Sequence, residues 1–387
     1  MIRCYKFRLY PTEQQVKIMN ETMETCRHLY NESLGERSTD WDTGFYEQKQ
    51  LLTVRKQDNK YYNQVHNQVL QDVLLRLDKA YQSFFKKISK YPKFKRRGKY
   101  NSFTYPQYGG FRIRDNKLIL SCIGAIKLEM HRIPIGTLKR CTIICDVDQW
   151  YACITTDDGI EKAAVKVDLT KPVGIDVGLL NWLTLSDGKV IPNTLDFGAQ
   201  INKIKQLQRS LSRKQKESKN REKERIQLAK AWRQVRRCRD DFVHKISKAL
   251  ADEGYTLVVF EKLNINNIVK NHNLASAIMD AIWGKLRQMT IYKVERHGGQ
   301  VILVNPSGTS QKCSRCGVVK EEKKLGLDER IFECHSCGLV VDRDLNAAKN
   351  ILKLGLEQAY AEKQPLLIRQ QRRISKLLRG SKKPGNG

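Results

Sequence analysis

The sequence predicts a multi-module protein of mixed class. An α/β unit fills the C-terminal half, and a helical module and a small β-barrel or sandwich precede it. Three observations carry that prediction. Three apolar runs, VGIDV, LVVF and QVILV, are separated by helical stretches, the pattern of strands buried in an α/β layer. Residues 101–157 instead break into strand-length pieces divided by turn residues. Two Cys-x-x-Cys pairs interrupt the α/β unit near its end.

In chain order, residues 2–10 (IRCYKFRLY) read as a strand, and Pro11-Thr12-Glu13 opens a helix. The pattern stays helical to about residue 90, with a loop expected at 39–46. Residues 63–87 give the clearest helix, with Val65, Val69, Val73, Leu74, Leu77, Tyr81 and Phe84 at helical spacing. A basic loop with aromatic residues, YPKFKRRGKY, follows at 91–100. The strand pieces after it are SFTYP, GFRIR, KLILS, IKLEM, CTIICDV and WYACITT, separated by turns such as Asp115-Asn116 and Asp157-Asp158-Gly159. The N-terminal strand is expected to join them, with the helices inserted between. From Pro172 onward come a buried strand, a hairpin turning at Asp187-Gly188, and one long helical stretch over 201–253. A second buried strand, a helix over 275–298 and the run QVILVNP follow. A last helix is expected over 342–354, and beyond Glu362 every charge is basic.

Among 387 residues, 71 Lys and Arg stand against 41 Asp and Glu, a formal net charge of +30. A hydrophobic share of 40% excludes wholesale disorder. No run approaches the roughly 20 apolar residues of a membrane span, and the N-terminus has no apolar signal core. A soluble cytoplasmic chain with no membrane partner is therefore expected. So large a positive excess costs the compact state self-repulsion and points to a polyanion, since each cation on a phosphate releases counterions. Nucleic acid is the expected partner.

Four of the 11 cysteines form Cys313-x2-Cys316 and Cys334-x2-Cys337. Each knuckle turns two thiolates toward one ion, and Gly317 and Gly338 stand where the turn tightens. Four thiolates leave no position for water, so one structural Zn²⁺ is expected. His335 lies inside the second knuckle but is not needed. The other seven cysteines are scattered, as in a reducing compartment.

Three acids stand where apolar elements end. Asp176 sits in GIDVG, Glu261 closes the strand LVVF, and Asp344 opens the last helix in DRDLNAA. Carboxylates meeting at a sheet end would hold two Mg²⁺ ions, which activate water and stabilise the leaving oxygen in phosphodiester cleavage. Asp342 and Asp344 are two apart and do not share a helix face, so one is a ligand and the other a cap or supporting group.

GIDVG, FEKLN, NPSGTSQKCSRCG, the second CxxC and DRDLNAAKNI resemble the RuvC and zinc motifs of the TnpB (OrfB) family of transposon-encoded proteins, and YKFRLYPTEQQ and YPKFKRRGKYNSFTYP resemble its N-terminal half. The resemblance implies an RNase H-like RuvC nuclease domain (171–304 plus 339–360) with an inserted zinc ribbon (305–338). It also implies a β-barrel wedge domain (1–10 plus 91–170), a helical recognition domain (11–90) and a basic tail (361–387). It implies an RNA-guided DNA endonuclease that takes a guide RNA from the transposon end and cuts double-stranded DNA beside a short motif. Asp176, Glu261 and Asp344 match the family's catalytic acids, and their presence argues against the alternative, a nuclease-inactive RNA-guided repressor.

Candidate nucleic-acid contacts follow. Lys93, Lys95, Arg96 and Arg97 offer phosphate clamps, and Tyr100, Phe103 and Tyr105 stacking faces. Arg213, Lys214, Arg233, Arg236 and Arg237 are expected along the guide–target duplex. Asn67, Gln68 and Gln71 could read base edges in the flanking motif.

Overall fold

A computed structural model describes residues 2–40, 42–160, 168–178, 181–195, 197–262, 274–305, 308–319 and 330–380, without side chains at 274–281 and 362–380. The chain forms two compact units, Met1–Lys162 and Ala163–Gly387.

In the first unit, β1 (Ile2–Tyr10) lies between β7 (Gln149–Asp157) and β5 (Gly124–Glu129) in an antiparallel seven-stranded sheet of order β2-β6-β7-β1-β5-β4-β3. The remaining strands are β2 (Ser102–Tyr105), β3 (Phe111–Arg114), β4 (Lys117–Leu120) and β6 (Thr137–Asp146). Alternation decides which face is buried: Trp150, Ala152, Ile154 and Thr156 of β7 all point inward. The sheet curls, because Tyr105 on one edge strand donates its hydroxyl to the Ser121 carbonyl just past β4 at 2.7 Å.

Helix α1 (Glu13–Thr39) starts where Thr12 and Gln15 form a capping box. Helices α2 (Phe45–Asp58), α3 (Lys60–Asn63) and α4 (Asn67–Phe85) follow. The helix expected from residue 63 starts four residues later, because Asn63 belongs to the separate turn of α3. Helices and sheet share one hydrophobic core that runs from Phe7 and Met19 through Leu74 to Phe103 and Ile154. Arg76 on α4 is held by Asp72 and reaches Ser102 and Thr104 of β2.

The second unit is built on a five-stranded sheet of order β10-β9-β8-β11-β12. The strands are β8 (Pro172–Val177), β9 (Asn181–Leu185), β10 (Val190–Pro192), β11 (Leu257–Glu261) and β12 (Gln300–Val304). β8, β9 and β10 pair antiparallel, whereas β8, β11 and β12 run parallel. The parallel strands are covered on both faces, which is why they read as continuous apolar runs.

The helical stretch expected as one piece is a hairpin, α5 (Gly198–Arg213) and α6 (Lys219–Asp252). Glu217 takes a positive φ of 66° at the corner, and Ser218 caps α6. α7 (Leu274–Arg296) packs on α6 through Lys293, whose ammonium donates to the His244 carbonyl and the Ser247 hydroxyl at 2.7 Å each. A small hairpin, β13 (Ile331–Glu333) and β14 (Val340–Asp342), carries the second cysteine pair. The last helix, α8 (Arg343–Gly380), continues well past the end expected for it.

Two glycines set how close α8 comes to the sheet. A Cβ on Gly174 would lie 2.3 Å from the Ala348 carbonyl oxygen, and one on Gly355 would lie 2.3 Å from a Val259 methyl. Gly174 thus fixes β8 under α8 one turn after Asp344, and Gly355 fixes β11 under the same helix. Among the described residues no helix is long and apolar enough to cross a membrane.

Candidate functional site

Residues two apart on a strand share a face. Asp176 therefore points to the side of Gly174, and Glu261 to the side of Val259, both faces that α8 covers. The parallel register pairs Val259 with Gly174 and Phe260 with Ile175, so Glu261 and Asp176 are the next positions on neighbouring strands. Asp344 enters from the first turn of α8, and a Cβ on Gly178 would lie 3.9 Å from its Oδ2. The fold brings the three acids, 85 and 83 residues apart in sequence, to one end of the sheet.

Their electrostatics show the crowding. Burial first, and then the charges of Glu261 and Asp344, push Asp176 up to about 8, while the Val177 N–H and Arg343 pull the other way. Burial raises Glu261, opposed by a hydrogen bond from Thr309. Asp344 is raised by burial and by Asp342, against Arg330, Arg343 and Asn181. Arg330 stands 3.7 Å from Asp344. Asp176 feels both other acids, and three half-buried carboxylates are oxygen ligands of the kind a hard divalent cation takes, but among the described residues only the four cysteines already close up as a metal-ligand set. Asp342 is the cap of the acidic pair: its Oδ1 accepts the Asp344 and Leu345 N–H groups at 2.9 and 3.0 Å.

A consequence for stability follows. An unfolded Asp titrates near 3.9, so between about pH 4 and pH 8 the folded chain binds a proton that the unfolded chain has lost. Stability from this group is present below pH 4 and drains away as pH rises through 8. Without added Mg²⁺, Asp176→Asn is expected to raise the melting temperature at pH 8.5 and to change it little at pH 4. Equal gains at both pH values would contradict the assignment of the shift to Asp176.

The four cysteines form a second centre. Their Sγ atoms all lie within 4.8 Å of one another, with Cys313–Cys337 and Cys316–Cys334 at 3.6 Å. A tetrahedron with Zn–S bonds of about 2.3 Å has S···S edges of about 3.8 Å, so the cluster fits one Zn²⁺. The knuckles repeat one hydrogen-bond pattern. The Gly317 N–H donates to the Cys313 carbonyl and the Gly338 N–H to the Cys334 carbonyl, each at 2.9 Å with the glycine at positive φ. His335 is not in the cluster.

The proposed nucleic-acid contacts divide. Lys93, Arg96 and Arg97 are exposed, and their loop is pinned at Lys95, whose backbone exchanges hydrogen bonds of 2.7 and 3.0 Å with the Asn31 side chain. Phe103 and Tyr105 are core residues at 1% exposure, and Tyr100 packs against Tyr30 with Arg76 over its ring. Phe103 and Tyr105 are therefore core and not stacking faces, while Tyr100 is half-buried against the same core. Phe94, the aromatic inside the basic run itself, is exposed.

Arg213, Lys214, Arg236 and Arg237 are exposed on the α5–α6 hairpin, but Arg233 is buried. It stands seven residues before Asp240 and fourteen before Ser247, which bond Lys285 and Lys293 of α7, so it lies on the face that meets that helix. Asn67 and Gln71 share a groove with Tyr46, Lys49 and Thr53 of α2. Gln68 points elsewhere and donates to Gln107 at 2.9 Å.

Residues that sequence reasoning missed are Thr309, which donates to Glu261 Oε1 at 2.5 Å, Arg330, and the buried Asn346 and Asn350. The i, i+4 spacing of the two asparagines on an otherwise apolar helix face was the available signal.

Three family profiles match the chain: "Cas12f1-like, TNB domain" over residues 283–351, "Probable transposase" over 155–272 and "Helix-turn-helix domain" over 1–44. In the last span, residues 2–40 form a strand and one helix. A Streptomyces pristinaespiralis protein named as an RNA-guided DNA endonuclease is 34% identical, over 92% of this chain and 89% of its own. One from Escherichia coli K12 bearing the same description is 29% identical over 92% of each. The CRISPR-associated endodeoxyribonuclease Cas12f1 of Sulfoacidibacillus thermotolerans is 28% identical over 64% of this chain and 61% of its own.

Proposed function

This chain belongs to the TnpB (OrfB) family, and from that membership we propose that it is an RNA-guided endonuclease cutting double-stranded DNA beside a short target-adjacent motif. The observation that carries the reading is the convergence of Asp176, Glu261 and Asp344 at one end of a mixed sheet on a strongly basic chain. A strand order of three antiparallel strands followed by two parallel ones supports an RNase H-like RuvC assignment for the second unit. In the first unit the curled sheet is assigned as the wedge and α1–α4 as the recognition helices.

Asp176, Glu261 and Asp344 are the residues that would hold two Mg²⁺ ions. Bound there, such ions supply a nucleophile from water and charge stabilisation for the departing 3′ oxygen. The chain's own residues do the rest. β8 and β11 deliver Asp176 and Glu261 on a rigid edge, and burial strengthens every charge interaction around them. Arg330 keeps a cation beside Asp344 where a DNA phosphate would gain from it. Arg213, Lys214, Arg236 and Arg237 contact phosphates of a guide–target duplex without reading sequence, and the loop with Lys93, Arg96 and Arg97 contacts RNA. Asn67 and Gln71 face the flanking motif from the α2–α4 groove. One Zn²⁺ on the four cysteines is structural.

The test is cleavage of a plasmid that carries a match to the RNA co-purifying with the protein. Mg²⁺-dependent breakage of both strands is expected, with sequence choice following the guide. Guide-directed binding without breakage would move the assignment to an RNA-guided repressor.

A further inference from the structure

We infer that Thr309 is the positioning residue for Glu261 and couples the four-cysteine knuckle to the carboxylate cluster, an inference that rests on the nuclease reading above. Thr309 is 6% exposed, and its hydroxyl donates to Glu261 Oε1 at 2.5 Å. A hydroxyl has one proton to give, so this bond commits Oε1 and fixes the rotation of the carboxylate, leaving Oε2 for a cation.

Thr309 is itself held by the helix that carries Asp344. Asn350, 4% exposed, donates its side-chain amide to the Thr309 carbonyl at 2.9 Å and to the Lys312 carbonyl at 2.6 Å. Asn346, fully buried one turn earlier, donates to the Lys312 carbonyl at 2.8 Å and accepts the Ser314 N–H at 2.9 Å. Lys312 and Ser314 flank Cys313, so the first knuckle, the loop and α8 form one hydrogen-bonded block. Two acids of the trio are thereby referenced to one element: Asp344 by its place on α8, and Glu261 through Asn350 and Thr309. Loosening the knuckle from α8 would free Thr309, and with it Glu261, to move relative to Asp344.

The experiment compares Thr309→Val, which keeps the shape and removes the hydroxyl, with Thr309→Ser, which keeps the hydroxyl. Mn²⁺ binding to the zinc-loaded full chain is measured by electron paramagnetic resonance, with Asp176→Ala as background, and Mg²⁺ dependence of cleavage is measured on the guide-RNA complex. Thr309→Val is expected to weaken Mn²⁺ binding and raise the Mg²⁺ needed for half-maximal cleavage by about 10–100-fold, with Thr309→Ser restoring both. Parent-like behaviour of Thr309→Val, or failure of Thr309→Ser to restore it, overturns the positioning role and leaves the nuclease reading intact. A parent chain that binds no Mn²⁺ above the Asp176→Ala background overturns the nuclease reading itself.

Discussion

Asp176→Ala is expected to lower guide-directed DNA cleavage by about 1000-fold or more, a loss of about 4 kcal/mol of transition-state stabilisation. The size follows from position. Asp176 is the member of the trio whose carboxyl feels the charges of both others, so its removal takes away the group that ties the set together. Target binding is expected to stay within about threefold of the parent, because guide pairing and the exposed Arg213, Lys214, Arg236 and Arg237 lie outside the trio. Gel-shift and cleavage assays on one preparation separate the two effects. Cleavage within tenfold of the parent would remove Asp176 from the chemistry, and parallel loss of binding would make its role structural.

The second large effect concerns the cysteines. The purified chain is expected to hold one zinc, and Cys313→Ser or chelation is expected to lower the melting temperature of the second unit by about 10 °C or more. Zinc binding in small modules is folding free energy of order 10 kcal/mol, and a unit of this size loses roughly 2–4 °C per kcal/mol. Only part of that energy spreads beyond the knuckles, through Ser314, Asn346 and Asn350 into α8. Differential scanning calorimetry with a zinc assay checks it. An unchanged transition after complete zinc removal would show that the knuckles close without metal.

These effects were legible in the sequence to different depths. Paired Cys-x-x-Cys motifs state their geometry locally, since thiolates two residues apart close on one ion, and the structure brings the four sulfurs together as their spacing implies. The apolar strands were legible because burial on both faces removes polar residues, which made Asp176 and Glu261 conspicuous at their ends. Sequence reasoning could not place Phe103 and Tyr105, because a basic aromatic stretch reads alike whether its rings face solvent or core. Arg233 was hidden for a similar reason: an arginine in a basic helical run reads alike on either face, and the face that buries it also carries polar Asp240 and Ser247, which bond α7. The break between α5 and α6 falls in a wholly polar segment where only Ser218 marks a new start. The bond from Thr309 to Glu261 joins residues 48 apart and depends on where the knuckle sits, which no local pattern encodes.

The most direct measurement of the central claim is an anomalous-scattering difference map from crystals of the protein soaked in Mn²⁺. Peaks are expected bonded to carboxylate oxygens of Asp176, Glu261 and Asp344, and absent from crystals of Asp176→Ala. A map with Mn²⁺ bound elsewhere and none on these three side chains would contradict the account.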